Sequence, residues 1–349
     1  MRSKIAMKQH DFRRVGVLGA GSWGTSLARL VAQRNPETEV TIWSYEEDIV
    51  EQINQTRENQ KYLKGLRLSE NIRAVGNPLE AVVDQDAILQ VTPSHGVRSL
   101  MNEIKDHLPD QIPIISATKG IENDTLMTVS EVLEDVLPEI YHPYLLFLSG
   151  PSFALEVAQE VPTVLILAAR MERIAQRTQP LFQADFIRTY ISKDVEGVEI
   201  GGATKNVIAI AAGAVEGMQL GHNAMAALVT RGLSEITRLA VHKGANPLTL
   251  AGVAGMGDLV LTCYGNLSRN RSVGYHLGKG KKINEILSDM VMVAEGVKTA
   301  ASVYELSQKL RVEMPICESV YKVLYEDLSP QEALSSLLSR PHLQEWRML

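Results

Sequence analysis

Lys119, Lys205 and Asp258 are charged side chains set among small or apolar neighbours. Lys205 follows Gly201, Gly202 and Ala203 and precedes the apolar run Val207-Ile208-Ala209-Ile210-Ala211-Ala212. An amine beside such an element must reach solvent or find a partner, and Asp258, in Gly255-Met-Gly-Asp258-Leu-Val, is a candidate. A lysine so placed suits proton transfer. Burial and a neighbouring Lys119 ammonium would favour its neutral form, Asp258 its charged form, and spacing alone does not decide between them. Lys119 lies in Ser116-Ala-Thr-Lys119-Gly120, and a third small-residue segment is Ser149-Gly150-Pro151-Ser152-Phe153-Ala154. Taken singly, each segment has a plainer reading: a solvated loop charge, a turn or a helix-surface cation.

Two further clusters suggest what surrounds the amine. Asn266-Leu-Ser268-Arg269-Asn270-Arg271 gathers hydroxyl, amide and guanidinium donors. Arginine holds phosphate through paired, charge-assisted hydrogen bonds, and Ser and Asn complete the oxygen shell. The plainer alternative is a polar helix start with solvated arginines. Gly19-Ala20-Gly21-Ser22-Trp23-Gly24 has G-x-G-x-x-G spacing, directly after Val15-Gly16-Val17-Leu18 and before a helix-like segment. In that context Gly19 permits a tight turn, Gly21 lets backbone approach a pyrophosphate and Gly24 allows helix to pack on strand. The acid that commonly ends the second strand and binds the ribose is missing: Ser44 and Tyr45 follow Trp43, and Glu46 reads equally as a first-turn helix acid. NAD and NADP both remain open.

Positioning these groups requires two kinds of scaffold. Short β-branched runs at 14–18, 40–43, 72–75, 87–91, 112–116 and 144–148 alternate with helix-length segments, as in β-α units around a mainly parallel sheet. Segments 163–168 and 187–191 extend it in a direction the pattern does not reveal. Beyond Asp194, apolar residues recur at spacings of three and four, predicting helices over much of 196–218, 223–243, 247–254, 268–278, 283–289, 297–310, 315–325 and 330–338. The expectation is an α/β fold: a Rossmann-like dinucleotide-binding domain over 1–193, an all-helical substrate domain over 194–349, and the active cleft between them.

Composition removes several function classes. The 349 residues are 45% apolar and 22% charged, as in ordinary globular proteins, and 35 Lys and Arg against 41 Asp and Glu leave a net charge of −6. With no general basic field, nucleic acid is not an expected partner. Cys263 and Cys317 lack metal-site spacing, and the eight histidines show no H-E-x-x-H or compact ligand pattern, so no metal is expected. The N-terminal residues lack a secretory apolar stretch and no run approaches the ~18 apolar residues of a membrane span. A reduced, cytoplasmic chain is expected.

The motifs in their order make the chain resemble bacterial NAD(P)-dependent glycerol-3-phosphate dehydrogenase across residues 14–340. They are GAGSWGTSLA at 19–28, SATKGIE at 116–122, GPSFALEV at 150–157, GATKNVIAIAAG at 202–213, GMGDLVLTC at 255–263, NLSRNR at 266–271 and AEGVKT at 294–299. The resemblance implies interconversion of dihydroxyacetone phosphate and sn-glycerol 3-phosphate, supply of the latter to glycerophospholipid synthesis, and a homodimer. It places Ser22, Trp23, Tyr45, Ala154, Val293 and Glu295 at the cofactor, and Lys119 and Arg269 at both cofactor and substrate. Gly150, Ser152, Asp258, Ser268 and Asn270 fall at substrate positions and Lys205 at the proton-transfer position. Thr204 stands where the family usually has an aliphatic residue. Hydride transfer to the substrate C2 carbonyl with Lys205 as acid, tuned by Lys119 and Asp258, unites this with the residue chemistry. A related hydroxy-acid dehydrogenase is the rival enzyme, without a reason for the NLSRNR cluster; a nucleotide-sensing binding module is the nonenzymatic one.

Overall fold

The computed structural model describes residues 12–290 and 294–341. Ten strands occur among them: β1 (Arg14–Leu18), β2 (Glu39–Trp43), β3 (Glu58–Asn59), β4 (Leu63–Arg67), β5 (Ile72–Val75), β6 (Ala87–Gln90), β7 (Ile114–Ser116), β8 (Leu145–Ser149), β9 (Thr163–Ala168) and β10 (Ile187–Ser192). Eight form one sheet in the order β10-β9-β8-β7-β6-β1-β2-β5. From β5 to β8 all neighbours run parallel; β9 is antiparallel to β8 and parallel to β10. The first six sheet strands thus take the Rossmann order, which reverses direction of winding between β1 and β6. Pro113 has no N–H, so β7 begins after it, although its carbonyl still accepts Ile88 N at 3.0 Å. The hairpin of β3 and β4 had no counterpart in the sequence pattern: its strands are short and largely polar.

Strands β1, β6, β7 and β8 are buried on both faces, as parallel strands covered by helices must be, whereas edge strand β10 alternates buried residues with the exposed Arg188 and Tyr190. Helix Ser22–Arg34 buries Leu27, Ala28, Leu30, Val31 and Ala32 against one face, and helices Val97–Ile104 and Val129–Val136 cover the other.

After Ser192 the described residues are helical, joined by short turns. Helix Val195–Gly217 runs through the middle of this half with 18 of its 23 residues buried, and its Val207, Ile208 and Ile210 lie in the helical core. It is long and apolar enough to cross a membrane, yet 83% of its apolar window is buried inside the protein, the behaviour of a core helix. The broken stretch Pro247–Tyr264 passes the same length test, but it comprises a four-residue helix, a π-helical turn and helix Asp258–Tyr264. Helix Arg269–Gly278 crosses the central helix backbone against backbone. A Cβ at Gly274 would stand 1.8 Å from Ile210 O and one at Gly213 1.9 Å from Arg271 O, so only glycine allows the approach. That crossing fixes the helix whose first turn carries Arg269 and Asn270.

Candidate active site

Because β1, β2, β6, β7 and β8 are parallel, the loops after them emerge on one edge of the sheet. Gly19 follows β1 with φ +118°, a conformation that favours glycine, and its N–H donates to Trp43 O at 3.1 Å. A Cβ at Gly24 would meet Gly19 O at 1.9 Å, whereas the position at Gly21 faces open space. Helix Ser22–Arg34 starts here without a side-chain cap, and the N-terminus of a helix of this length attracts an anion. Trp23 packs partly against the core, and Ser26 Oγ donates to Ala154 O at 2.9 Å, tying the loop after β8 to this helix. An uncapped helix start, an open Gly21 and a turn strained for any other residue fit a dinucleotide pyrophosphate.

The helical half faces this edge with Asp258, which is fully buried. Its Oδ2 accepts from Lys119 Nζ at 2.8 Å, and its Oδ1 accepts from Lys205 Nζ. One carboxylate therefore bridges two lysines, one from the loop after β7 and one from the central helix. Lys205 also donates to Thr262 Oγ1 at 2.9 Å, and Thr262 donates to Asp258 O at 2.6 Å. Asp258 and Thr262 are one turn apart on helix Asp258–Tyr264, so both face the amine. The π-helical turn Val253–Gly257 presents that helix: Ala254 O lies 2.8 Å from a Cβ position at Gly201, and Val253 contacts the one at Gly150. Burial pushes Lys205 down from the ordinary lysine range to about 7; Asp258 opposes the shift and Lys119 adds to it. A lysine titrating there exchanges protons near neutral pH.

Around this centre, Gly150 holds φ +120° and its carbonyl accepts from Ser152 Oγ at 3.0 Å and Lys119 Nζ at 3.4 Å. Ser268 Oγ caps helix Arg269–Gly278 by accepting from Arg271 N at 3.2 Å, which leaves its O–H as a donor. Asn270 Oδ1 accepts from Gly296 N at 2.9 Å, fixing the amide so that its NH₂ is the end left to a ligand. Arg271 is paired with Glu216 at 2.5 Å and Asn266 at 3.1 Å, which gives it a structural task. Burial pushes Glu295 up to about 7 against the pull of Arg269 and the Ser94 backbone amide, with Lys119 and Lys205 also in electrostatic reach. Glu295 thus joins the loop after β6 to the arginine of the helical half.

The structure brings Lys119, Gly150, Ser152, Lys205, Asp258, Arg269 and Glu295 together, with Ser268 and Asn270 on the turn that carries Arg269. Gly19, Gly21, Ser22, Trp23, Gly24 and Ala154 lie along the glycine-loop side. Tyr45, 78% exposed, stands apart at the end of β2. Val293 falls outside the described residues. The sequence reading gave no role to Thr262 or to Ser149, whose buried Oγ has no hydrogen-bond partner among the described residues and lies 3.1 Å from a Cβ position at Gly202. Only the Asp258–Thr262 spacing of four could have drawn attention to the threonine. Cys263 and Cys317 are both free and buried. Among the described residues, no group of three or more His, Cys, Asp or Glu side chains could hold a metal ion.

Family models described as the N-terminus and C-terminus of NAD-dependent glycerol-3-phosphate dehydrogenase match residues 14–175 and 194–335. A glycerol-3-phosphate dehydrogenase [NAD(P)+] of Myxococcus xanthus is 53% identical over 327 residues, 94% of this chain and 97% of its own. One from Anaeromyxobacter sp. is 52% identical over 94% of this chain and 98% of its own. The crystal structure of glycerol-3-phosphate dehydrogenase from Coxiella burnetii superposes with a TM-score of 0.90 at 36% identity, covering 95% of this chain and all of that one.

Proposed function

The chain belongs to the NAD-dependent glycerol-3-phosphate dehydrogenase family, and from that premise we propose how its residues carry out the reaction. It interconverts dihydroxyacetone phosphate and sn-glycerol 3-phosphate with NAD or NADP as redox partner. Residues 1–193 hold the dinucleotide and 194–349 the substrate, which lies in the crevice beside Asp258. When bound, the reduced nicotinamide supplies the hydride that reaches C2 of dihydroxyacetone phosphate.

An ammonium has three N–H donors. Asp258 and Thr262 take two from Lys205, and the third addresses the substrate C2 oxygen. As negative charge develops there, Lys205 gives up its proton; in the oxidative direction the free amine takes it back from the hydroxyl. Lys119 reaches the same carboxylate from the sheet edge and steadies the oxyanion electrostatically. Arg269, the Ser268 hydroxyl and the Asn270 amide bind the phosphate, while Gly150 and Ser152 shape the pocket at the other end. Ser22, Trp23, Ala154 and Glu295 border the dinucleotide, with Tyr45 at its adenosine end; the family resemblance adds Val293.

The two lysines sharing Asp258 across the crevice carry this reading. Its test is a substrate panel: NADH or NADPH oxidation with dihydroxyacetone phosphate, unphosphorylated dihydroxyacetone and several 2-keto acids. Strong preference for the phosphorylated ketone supports it. Comparable or faster turnover of a keto acid overturns it in favour of a hydroxy-acid dehydrogenase, and binding without any turnover in favour of a sensing module. We also place the protein in the cytoplasm as a homodimer that supplies sn-glycerol 3-phosphate for glycerophospholipid synthesis. Two free cysteines suit a reducing compartment, and the family resemblance supports the dimer.

A further inference from the structure

A dinucleotide fold normally offers a free carboxylate at the end of its second strand to receive the ribose hydroxyls. Here the corresponding acid is occupied. Ser44 is buried and its Oγ accepts from Glu46 N at 3.1 Å, which sets the turn out of β2. The Glu46 carboxylate, 11% accessible, accepts from Tyr62 Oη at 2.5 Å and from Lys61 Nζ, whose side chain stays 37% accessible. Lys61 and Tyr62 lie in the turn joining β3 to β4, and that hairpin is moored to the glycine loop. Asn59, fully buried, donates to Ala20 O at 2.8 Å and to Thr25 Oγ1 at 2.9 Å, and accepts from Tyr62 N at 3.2 Å. The mooring puts the Glu46–Lys61–Tyr62 cluster between the glycine loop and the end of β2, where a dinucleotide on that loop carries its adenosine ribose.

We propose that Glu46, Lys61 and Tyr62 form the ribose reader of this chain, and that exchange of Lys61 between Glu46 and a 2′-phosphate lets one site take both NAD and NADP. With a 2′-hydroxyl, the carboxylate accepts the ribose O–H. With a 2′-phosphate, the Lys61 ammonium turns outward to the dianion while Tyr62 keeps donating to Glu46, so the carboxylate keeps a hydrogen bond as the second anion arrives. The exchange is cheap because a partly exposed ion pair is worth little in water. Burial raises the Glu46 carboxyl, but hydrogen bonds from Lys61 and Tyr62 outweigh it and hold the group below its ordinary range, so it stands ionised and ready to accept.

This inference rests on the dinucleotide lying along the glycine loop, and binding rather than turnover tests it. The full-length protein and its Lys61→Met, Lys61→Arg and Glu46→Gln variants are titrated calorimetrically with NADH and NADPH at two salt concentrations. Lys61→Met should raise the Kd for NADPH about tenfold, the scale of one charge-assisted hydrogen bond, and flatten its salt dependence. Its Kd for NADH should stay within about twofold, and Lys61→Arg should restore NADPH binding. Glu46→Gln should weaken NADH and tighten NADPH. Equal changes for the two cofactors, or none, in variants whose melting matches wild type would overturn the reader while leaving the glycine-loop placement intact. A wild-type protein that binds neither cofactor would remove both.

Discussion

Asp258 receives one lysine from each half of the molecule, and the two arrive on different backbones. Lys119 stands on the loop after β7 with its side chain 17% accessible; Lys205 stands inside the central helix with its side chain 8% accessible. The helix is packed on several sides and crossed at van der Waals limits through Gly213 and Gly274, so the Lys205 amine has little freedom. The loop lysine reaches the same carboxylate from the sheet edge. In the proposed mechanism the difference divides the tasks: proton transfer falls to the side chain on the rigid, dry element, and binding the substrate oxygen and steadying its charge to the one on the sheet edge.

The sharpest way to break that division is to remove each amine in turn. Lys205→Ala should lower kcat by at least roughly 100-fold, the lower range for positioned acid-base catalysis, with no comparable loss of cofactor affinity. Lys119→Ala should act more on KM. Steady-state kinetics beside NADH binding checks both, and near-wild-type turnover in a folded Lys205→Ala protein would take this lysine out of the chemical step. Next in size is Arg269→Ala, expected to raise KM for dihydroxyacetone phosphate by about 30-fold, the loss of ~2 kcal/mol from charge-assisted hydrogen bonds. Unphosphorylated dihydroxyacetone should be affected far less. Equal loss with both ketones would contradict a phosphate contact.

In the proposed mechanism Lys205 and Asp258 also set a pH dependence. Ketone reduction needs the ammonium, so kcat/KM should fall as pH rises through about 7, and alcohol oxidation, which needs the free amine, should fall as pH drops through it. Asp258 supports the charged lysine, so Asp258→Asn moves this limb to lower pH. Each unit of displacement costs about tenfold in reduction rate on the alkaline side. Glu295 titrates in the same interval, and Glu295→Gln separates the two: the limb persists in that variant if Lys205 is its source.

What the sequence disclosed followed the same division between regular and irregular backbone. The β-branched runs located every strand of the large sheet within two residues, and the three-and-four spacing located most helices after Asp194, because both patterns record burial along a regular backbone. The expected helix over 247–254 stops at Leu250, and Asp258–Tyr264 was not predicted, because the π-helical turn between them breaks the period. The reversal at β9 was invisible, since a strand buried on both faces reads alike in either direction. The hairpin at Glu58–Arg67 went unseen because Asn59 and Tyr62 hold it to Ala20, Thr25 and Glu46 outside it through polar contacts rather than an alternating pattern. Within the site, the glycine loop and the lysines stood out as residues at odds with their surroundings. The bond from Gly296 to Asn270 and the pairing of Arg271 with Glu216 join segments far apart in the chain, and no local spacing reports them.

Thr262 supplies the finest test of how rigidly the helical half holds its amine. Its hydroxyl accepts from Lys205 and donates to Asp258 O, so it holds the lysine nitrogen from a second direction. Valine keeps the shape but removes the oxygen, costing about 0.5–1.5 kcal/mol for one hydrogen bond, and kcat should fall roughly three- to tenfold with KM little changed. With one polar partner fewer, the buried ammonium is less well supported, so the reduction limb should also move to lower pH. Thr262→Ser restores the oxygen without the methyl and should recover most of the rate. If serine and valine lose activity equally, the methyl packing matters rather than the hydrogen bond, and Lys205 is held by its helix and Asp258 alone.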